Sequence, residues 1–264
     1  SEDLKENPRK RMVWASAKQP AGKPVTRIED GFLRSRGLGA DLVPPLSLIC
    51  DDLGIYYDLS QESRLERILL KMPPLRADQL RRIQTLQRRL IDHDLTKYNL
   101  HRAYNLQQKT SCILVPGQVA DDASVLCGGG PKGDNLSLLK RVRNANPNAF
   151  ILFKPHPDVE SNLRLGALPK KTILRFADNC LENCGAAQAL RSCDAVHTGT
   201  SLMGFEALLR GISVTTYGQP FYAGWGLTND LGPRITRRKP GLTLLEFLYG
   251  CLILYPRYFD PVTR

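Results

Sequence analysis

The sequence predicts an α/β protein whose larger, C-terminal part is a doubly wound parallel sheet, and three observations carry the prediction. From Ser111 onward, short apolar runs rich in β-branched residues alternate with helical patterns. Those runs lack strict in-and-out alternation, as expected of parallel strands covered on both faces. The composition, 264 residues with 42 % apolar and 24 % charged, is that of an ordinary globular chain and excludes a disordered, collagen-like or coiled-coil one.

The first ten residues read as a frayed, charged segment. Met12–Ala15 is a short strand, and Pro20, Gly22 and Pro24 mark the loop after it. Val25–Ile28 is a second strand, ending at Glu29-Asp30-Gly31. Leu46–Cys50 is a third, closed by Asp51-Asp52-Leu53-Gly54. A helix is predicted over Ser60–Leu70, with Ser60 as N-cap and Ser63 inside the first turn, and Pro73-Pro74 stops it. The next helix, Ala77–His93, places Leu80, Ile83, Leu86 and Leu90 at helical spacing with arginines on the other face. A lobe boundary falls between Tyr104 and Asn105, giving lobes 1–104 and 105–264. Beyond it come a strand at Cys112–Val115, a helix at Leu136–Asn144 and strands at Phe150–Lys154 and Thr172–Phe176. A helix at Ala186–Ser192, a strand at Ala195–His197, a helix at Ser201–Leu209 and a strand at Ile212–Tyr217 follow. There is no internal repeat.

No apolar run approaches the roughly 20 residues that span a bilayer. The longest, Leu242–Tyr255, is too short and contains Glu246. The N-terminus lacks a signal-peptide core, so a cytoplasmic location is expected. Seven cysteines, an odd number, favour free thiols over a disulfide framework. Cys180, Cys184 and Cys193 match no common zinc spacing and read as core thiols. The net charge of +11 gathers at Lys5–Arg11, Arg76–Arg102 and Arg234–Lys239. It describes either solvated faces or attraction to anionic lipid, acidic glycan or nucleic acid.

Ligands of open α/β sheets bind beyond the carboxyl ends of the strands, and here those ends are polar. Thr198-Gly199-Thr200-Ser201 joins a strand to a helix. Its amides, hydroxyls and helix dipole suit either a phosphate or simple capping. Glu206, about a turn and a half into that helix, either reaches a ribose or is solvated. His156, after Lys154 and between Pro155 and Pro157, is fixed locally; it would donate to a phosphate oxygen or serve a rigid turn. Glu29 and Asp30 are expected on opposite sides of an extended backbone, so that one faces the crevice. Arg27, Arg34 and Arg36 are near enough in sequence to hold a carboxylate or an anionic substrate. Asp51-Asp52 favours a turn or cap over a metal. Gly128–Gly133 is glycine-rich without being a Walker or dinucleotide loop. Gln219–Gly226 gathers Phe221, Tyr222 and Trp225, which would stack on a sugar or base, or pack between lobes.

With these pieces assembled, the chain resembles the KpsC/LipB family of capsule polysaccharide biosynthesis proteins, the retaining β-Kdo glycosyltransferases. The matching runs are Arg27–Ser35, Pro45–Leu48, Asp51–Asp58, Lys154–Pro157, Thr200–Leu208, Gly218–Thr228 and Tyr255–Tyr258. The resemblance implies two Rossmann-like lobes in a GT-B-like arrangement, the first abbreviated and on the acceptor side. The last helix would pack back on that first lobe. The donor CMP-Kdo would be held by Lys154, His156, Pro157, Thr198, Thr200, Ser201 and Glu206, with Arg34 or Arg36 on its carboxylate. Asp30 would be the nucleophile, Glu29 its alternative, and His156 the phosphate donor. Gln219, Tyr222 and Trp225 would serve the acceptor side. Implied partners are a lipid-linked Kdo acceptor, the anionic inner-membrane surface and other capsule assembly proteins; no cofactor, metal or nucleic acid is expected. The chain departs from the family pattern in having only about two dozen residues before Val25, and Trp14-Ala15 where a Trp-Gly pair is usual. Two other readings compete: a catalytically inactive basic module binding acidic glycan, lipid or nucleic acid, and a CMP-sugar hydrolase.

Overall fold

The structure, a computed structural model, describes residues 11–17, 25–37, 42–100, 111–129 and 133–259. The expected boundary at Tyr104/Asn105 and the basic run at 5–10 lie outside them. The first part contributes β1 (Arg11–Trp14), β2 (Val25–Asp30), β3 (Ser47–Asp51), α1 (Arg64–Leu70) and α2 (Ala77–Asp92). The second begins with β4 (Cys112–Pro116), α3 (Ala123–Gly128), α4 (Asn135–Ala145), β5 (Phe150–Lys154), α5 (Pro157–Glu160) and α6 (Lys170–Ile173). It continues with β6 (Asn179–Cys180), α7 (Ala186–Arg191), β7 (Ala195–Thr198), α8 (Leu202–Leu209), β8 (Ser213–Thr216) and β9 (Asn229–Asp230). The chain returns through α9 (Leu244–Tyr249), a π-helical segment (Gly250–Leu254) and β10 (Pro256–Tyr258).

β4–β9 form one sheet in the order β6-β5-β4-β7-β8-β9, with every pair parallel. The order runs outward in both directions from β4 and β7, so the topological switch point lies between their carboxyl ends. β4 is apolar and almost wholly buried, as a sheet covered on both faces requires, and β7 buries Val196 and Thr198 beside it. The other sheet, β1-β2-β3-β10, is mixed: β1 pairs parallel with β2, whereas β3 pairs antiparallel with β2 and β10. The C-terminal segment thus completes the first sheet. The buried Asp51 carboxylate accepts from the Leu53, Gly54 and Arg64 amides and, at 2.7 Å, from the Tyr255 hydroxyl. It is the turn and cap residue expected, and it also anchors the returning chain. Gly250 permits the close approach of the π-helical segment to α1, since a Cβ there would lie 2.6 Å from Leu69 Cδ2.

Two local expectations need correction, and one helix lies outside them. Ser63, not Ser60, caps α1: its Oγ accepts from Glu66 N at 3.1 Å and Glu66 answers at Ser63 N, the reciprocal pair that Ser-x-x-Glu encodes. Thr172–Phe176 is not a strand. Lys170–Ile173 is a helical turn that buries Ile173, and β6 forms instead at Asn179–Cys180 beside Leu152 and Phe153; an apolar run this short fits either period. α3 was not foreseen, although Asp122 caps it through Ser124 N.

One hydrophobic cluster runs through both parts. Phe32, just past β2, stacks on Phe221 of the second part with ring centroids 4.6 Å apart, and Tyr56 meets Phe221 edge-on at 5.2 Å. Polar ties run alongside: Gln87 of α2 donates to the Leu209 carbonyl at 2.8 Å, and Arg210 donates to the Leu95 carbonyl at 2.9 Å.

Candidate functional site

Between the two sheets lies a cleft of about 900 Å³, within the range of small-molecule sites. Its floor is the switch point, and one wall carries the end of β2.

On the second-lobe wall the geometry is set largely by backbone. Asn135 clamps Gln118 by accepting from its N–H and donating to its carbonyl, both at 2.8 Å. Gln118 Oε1 then accepts from Thr200 N at 2.7 Å, fixing the turn between β7 and α8, while its Nε2 is buried without a partner among the described residues. Gly199 is needed there, because a Cβ would come 3.0 Å from Gln118 Oε1. Ser201 caps α8 through Met203 N. His156 caps α5, its Nδ1 accepting from Asp158 N at 3.2 Å. Burial first, and the nearby Lys97 and Lys154 ammonium groups second, push its pKa down to about 3. The ring is therefore neutral, and with Nδ1 accepting, its proton sits on Nε2. Lys154, almost fully buried at the end of β5, donates to the Pro155 carbonyl at 3.1 Å.

The first-lobe wall is made by side chains. Asp30 Oδ2 accepts from Arg34 Nε at 2.5 Å; Oδ1 is buried with no hydrogen-bond partner among the described residues. Glu29 Oε1 accepts from Asp30 N at 3.0 Å, and Tyr57 OH approaches Oε2 at 3.4 Å. Burial raises the Glu29 pKa, against the lowering effect of that amide. Lys97 is pinned by its backbone between the lobes. Its N–H donates to Glu206 Oε1 at 2.8 Å, and its carbonyl accepts from Arg34 N and Ser35 N, each at 3.1 Å.

Glu29, Asp30, Lys154, His156, Pro157, Thr200, Ser201, Glu206 and Gln219 all line this cleft. Both adjacent acids do so, contrary to the expected opposition, because Glu29 folds back onto the Asp30 amide. Glu206 is buried rather than solvated, and burial raises its pKa even though the Lys97 amide opposes the shift. Five residues are placed elsewhere. Thr198 is wholly buried behind the turn, where its Oγ1 accepts from Ser201 N at 3.3 Å. Arg34 is spent inside its own lobe on Asp30, Ser35 and the Val43 carbonyl, and Arg36 is exposed away from the cleft. Tyr222 and Trp225 are core residues: the Tyr222 hydroxyl donates to the Ser201 carbonyl at 2.6 Å, and Trp225 Nε1 donates to the Phe221 carbonyl at 2.9 Å. Their loop packs rather than stacks on ligand; only Gln219, Pro220 and Phe221 of it reach the cleft. Sequence reasoning placed Gln118 among the polar strand ends without giving it a role, and missed Tyr57 and Lys97. Gln118 was signalled by its place at the carboxyl end of β4. Among the described residues no group of His, Cys, Asp and Glu could hold a metal ion, and Cys180 and Cys184 are free and buried.

A doubly wound lobe and a smaller mixed-sheet lobe facing across a switch-point cleft define a two-lobed α/β protein with an interlobe cleft. The family model for capsule polysaccharide biosynthesis protein matches residues 5–111 and 76–258, and the chain belongs to that family. It is 47 % identical over 262 residues to the capsule polysaccharide modification protein LipA of Neisseria meningitidis serogroup B, covering 96 % of this chain and 37 % of LipA. It is 39 % identical over 241 residues to the lipopolysaccharide-processing protein LpsZ of Rhizobium meliloti, covering 89 % of this chain and 54 % of LpsZ. The chain thus spans between about a third and a half of these curated relatives. Two solved structures are similar: Thermosulfurimonas dismutans KpsC, beta Kdo 2,7 transferase, at 39 % identity and TM-score 0.77 over 96 % of this chain and 79 % of that one. The second is the beta Kdo 2,4 transferase of the same KpsC, at 35 % identity and TM-score 0.82 over 91 % and 75 %.

Proposed function

We propose that this chain is a glycosyltransferase module that moves Kdo from CMP-Kdo onto a lipid-linked Kdo acceptor with retention of configuration. The observation that carries the reading is the Asp30 carboxylate on the cleft wall, one oxygen neutralised by Arg34 and the other desolvated and uncommitted. Similarity to the two KpsC transferase structures supports the substrate.

In the first step Asp30 Oδ1 attacks the anomeric carbon of Kdo. The bond from that carbon to the CMP phosphate oxygen breaks, and the electron pair leaves with CMP. His156 Nε2–H, Lys154 and the start of α8 would meet the phosphate charge that develops. A neutral imidazole donates a hydrogen bond there without placing a second full charge beside Lys154. In the second step an acceptor hydroxyl attacks the same carbon from the opposite face, releasing the Asp30 carboxylate. Glu29, its proton affinity raised by burial, would take the hydroxyl proton. Two inversions give net retention. The lipid carrying the acceptor would be approached by the exposed arginines of α2, Arg81, Arg82, Arg88 and Arg89, at an anionic membrane surface.

Intact-protein mass spectrometry after incubation with CMP-Kdo is expected to show one added Kdo residue on the wild type and none on Asp30→Ala, with CMP binding retained. An adduct that survives in Asp30→Ala assigns the nucleophile elsewhere. Release of free Kdo with neither adduct nor acceptor product favours a hydrolase, and CMP-Kdo left intact favours a binding module.

A further inference from the structure

The cleft presents an electrostatic problem for an acidic sugar. Glu29, Asp30, Asp58, Asp121 and Asp122 all line it. A donor with a carboxylate on its anomeric carbon would bring another negative charge against Asp30, and like charges at such range are costly in a partly desolvated site. Some cation must meet that group. The two arginines that follow Asp30 most closely in sequence do not, since Arg34 is committed within its own lobe and Arg36 is outside the cleft.

Among the described residues, four cationic side chains line the cleft: Arg27, Lys97, Lys154 and Arg164. Arg27 donates to the Ala15 and Ala17 carbonyls, at 2.8 and 3.3 Å. Arg164 is paired with Asp121 at 2.9 Å. Lys154 donates to the Pro155 carbonyl on the phosphate side. Lys97 differs: its ammonium lies over the Tyr98 ring, 5.1 Å from the centroid, with no carboxylate or carbonyl of the described residues in hydrogen-bond range. Its backbone is held from both lobes, by Glu206 on one side and by Arg34 N and Ser35 N on the other. The Tyr98 face restrains the alkyl stem without using the three donors of the ammonium.

We propose that Lys97 is the residue that binds the carboxylate of the donor sugar acid, placing the anomeric carbon against Asp30. The inference rests on the transferase reading above and adds to it the group that selects a sugar acid over a neutral sugar. The ammonium is well placed for this role. Burial alone would favour its neutral form, but the Glu29, Asp30 and Asp122 carboxylates oppose burial and favour the ammonium.

The test compares CMP with CMP-Kdo on wild type, Lys97→Met and Lys97→Arg by calorimetry and initial rates. Methionine keeps the stem and the backbone bonds to Glu206 and removes only the charge. CMP affinity should be unchanged in both variants. The KM for CMP-Kdo should rise about tenfold to hundredfold in Lys97→Met, the loss expected for one charge-assisted contact, and recover in part in Lys97→Arg. Equal weakening of CMP and CMP-Kdo would make Lys97 a structural residue and overturn the inference. So would a wild-type KM in Lys97→Met. A wild type that binds CMP but gains nothing from the sugar overturns the transferase reading itself, and the two failures are told apart by the wild-type arm.

Discussion

The two lobes build their halves of the cleft from different materials. In the second, the site is written in backbone: Thr200 N and the start of α8 are aimed by a strand-to-helix turn, and His156 by a helix cap. In the first it is written in charge: Asp30 is set by Arg34, Glu29 by an amide, and Lys97 by contacts from both sides. The second wall presents amides and a neutral ring, aimed by Gln118, Asn135 and Ser201, whereas the first presents charges that lose their setting when one partner goes. The lesson extends to how the lobes are joined. Glu66 of α1 accepts from the fully buried Arg238 at 2.7 Å, and Arg238 also donates to the Pro220 and Ala223 carbonyls.

That joint gives the largest expected effect. Arg238→Met leaves the buried Glu66 with the longer Arg237 Nε contact at 3.3 Å and removes the arginine donor from the Ala223 carbonyl, a loss of about 2–4 kcal/mol. Chemical denaturation should show it, and amide hydrogen exchange should concentrate the lost protection in β2, β3 and α1. Equal loss across β4–β8 would mean that the lobes unfold as one unit and that the contrast is only local.

How much of this was legible beforehand follows the same division. The strand ends at His156 and Thr200–Ser201 could be read because a parallel sheet sends its polar residues to one edge, and the turn residues announce themselves. Lys97 could not. Nothing around it forms a motif, and its position depends on Glu206, more than a hundred positions away in sequence. Asp30 was legible as an acid at a strand end, but not that Arg34 would hold it, since several arginines were in reach. Tyr222 and Trp225 were ambiguous because an aromatic, glycine-containing loop looks the same whether it covers a ligand or fills a core; burial is decided by Gly204 against Tyr222 and Arg238 over Trp225, which pack from elsewhere. Thr172–Phe176 failed for want of length.

An intermediate effect is expected at Gly204, in the backbone-built lobe. A Cβ there would lie 2.3 Å from the Tyr222 hydroxyl and 2.6 Å from its ring carbon. Gly204→Ala should cost about 1–3 kcal/mol by overpacking and, by moving the first turn of α8, weaken CMP binding as well. Thermal unfolding and CMP titration check both. Lost stability with intact CMP affinity would show that the turn at Thr200 is held by Gln118 independently of the helix behind it.

The smallest effect tests whether the second lobe is as dry as its sheet implies. His197 on β7 lies 3.2 Å from the Tyr217 hydroxyl, outside the cleft, and burial alone takes its pKa from 6.5 down to about 4. Between those values the unfolded chain binds a proton that the native one refuses. Stability contributed by the neutral ring is therefore complete above pH 6.5 and is lost as pH falls toward 4. His156 acts with the same sign over a wider window, down to about 3. Glu29 and Glu206 act with the opposite sign, because their raised pKa values make the native state bind protons first as pH falls toward their ordinary 4.5. The whole-protein slope is a partial cancellation, and only a difference isolates one group. Urea denaturation of wild type and His197→Gln at pH 7 and pH 4.5 should give a wild-type drop larger than the variant's by about 1 kcal/mol, after allowing for partial solvent access. Glutamine keeps a polar partner for Tyr217 and cannot titrate, so identical drops would place water beside β7 and weaken the contrast between a dry, backbone-built lobe and a charged one.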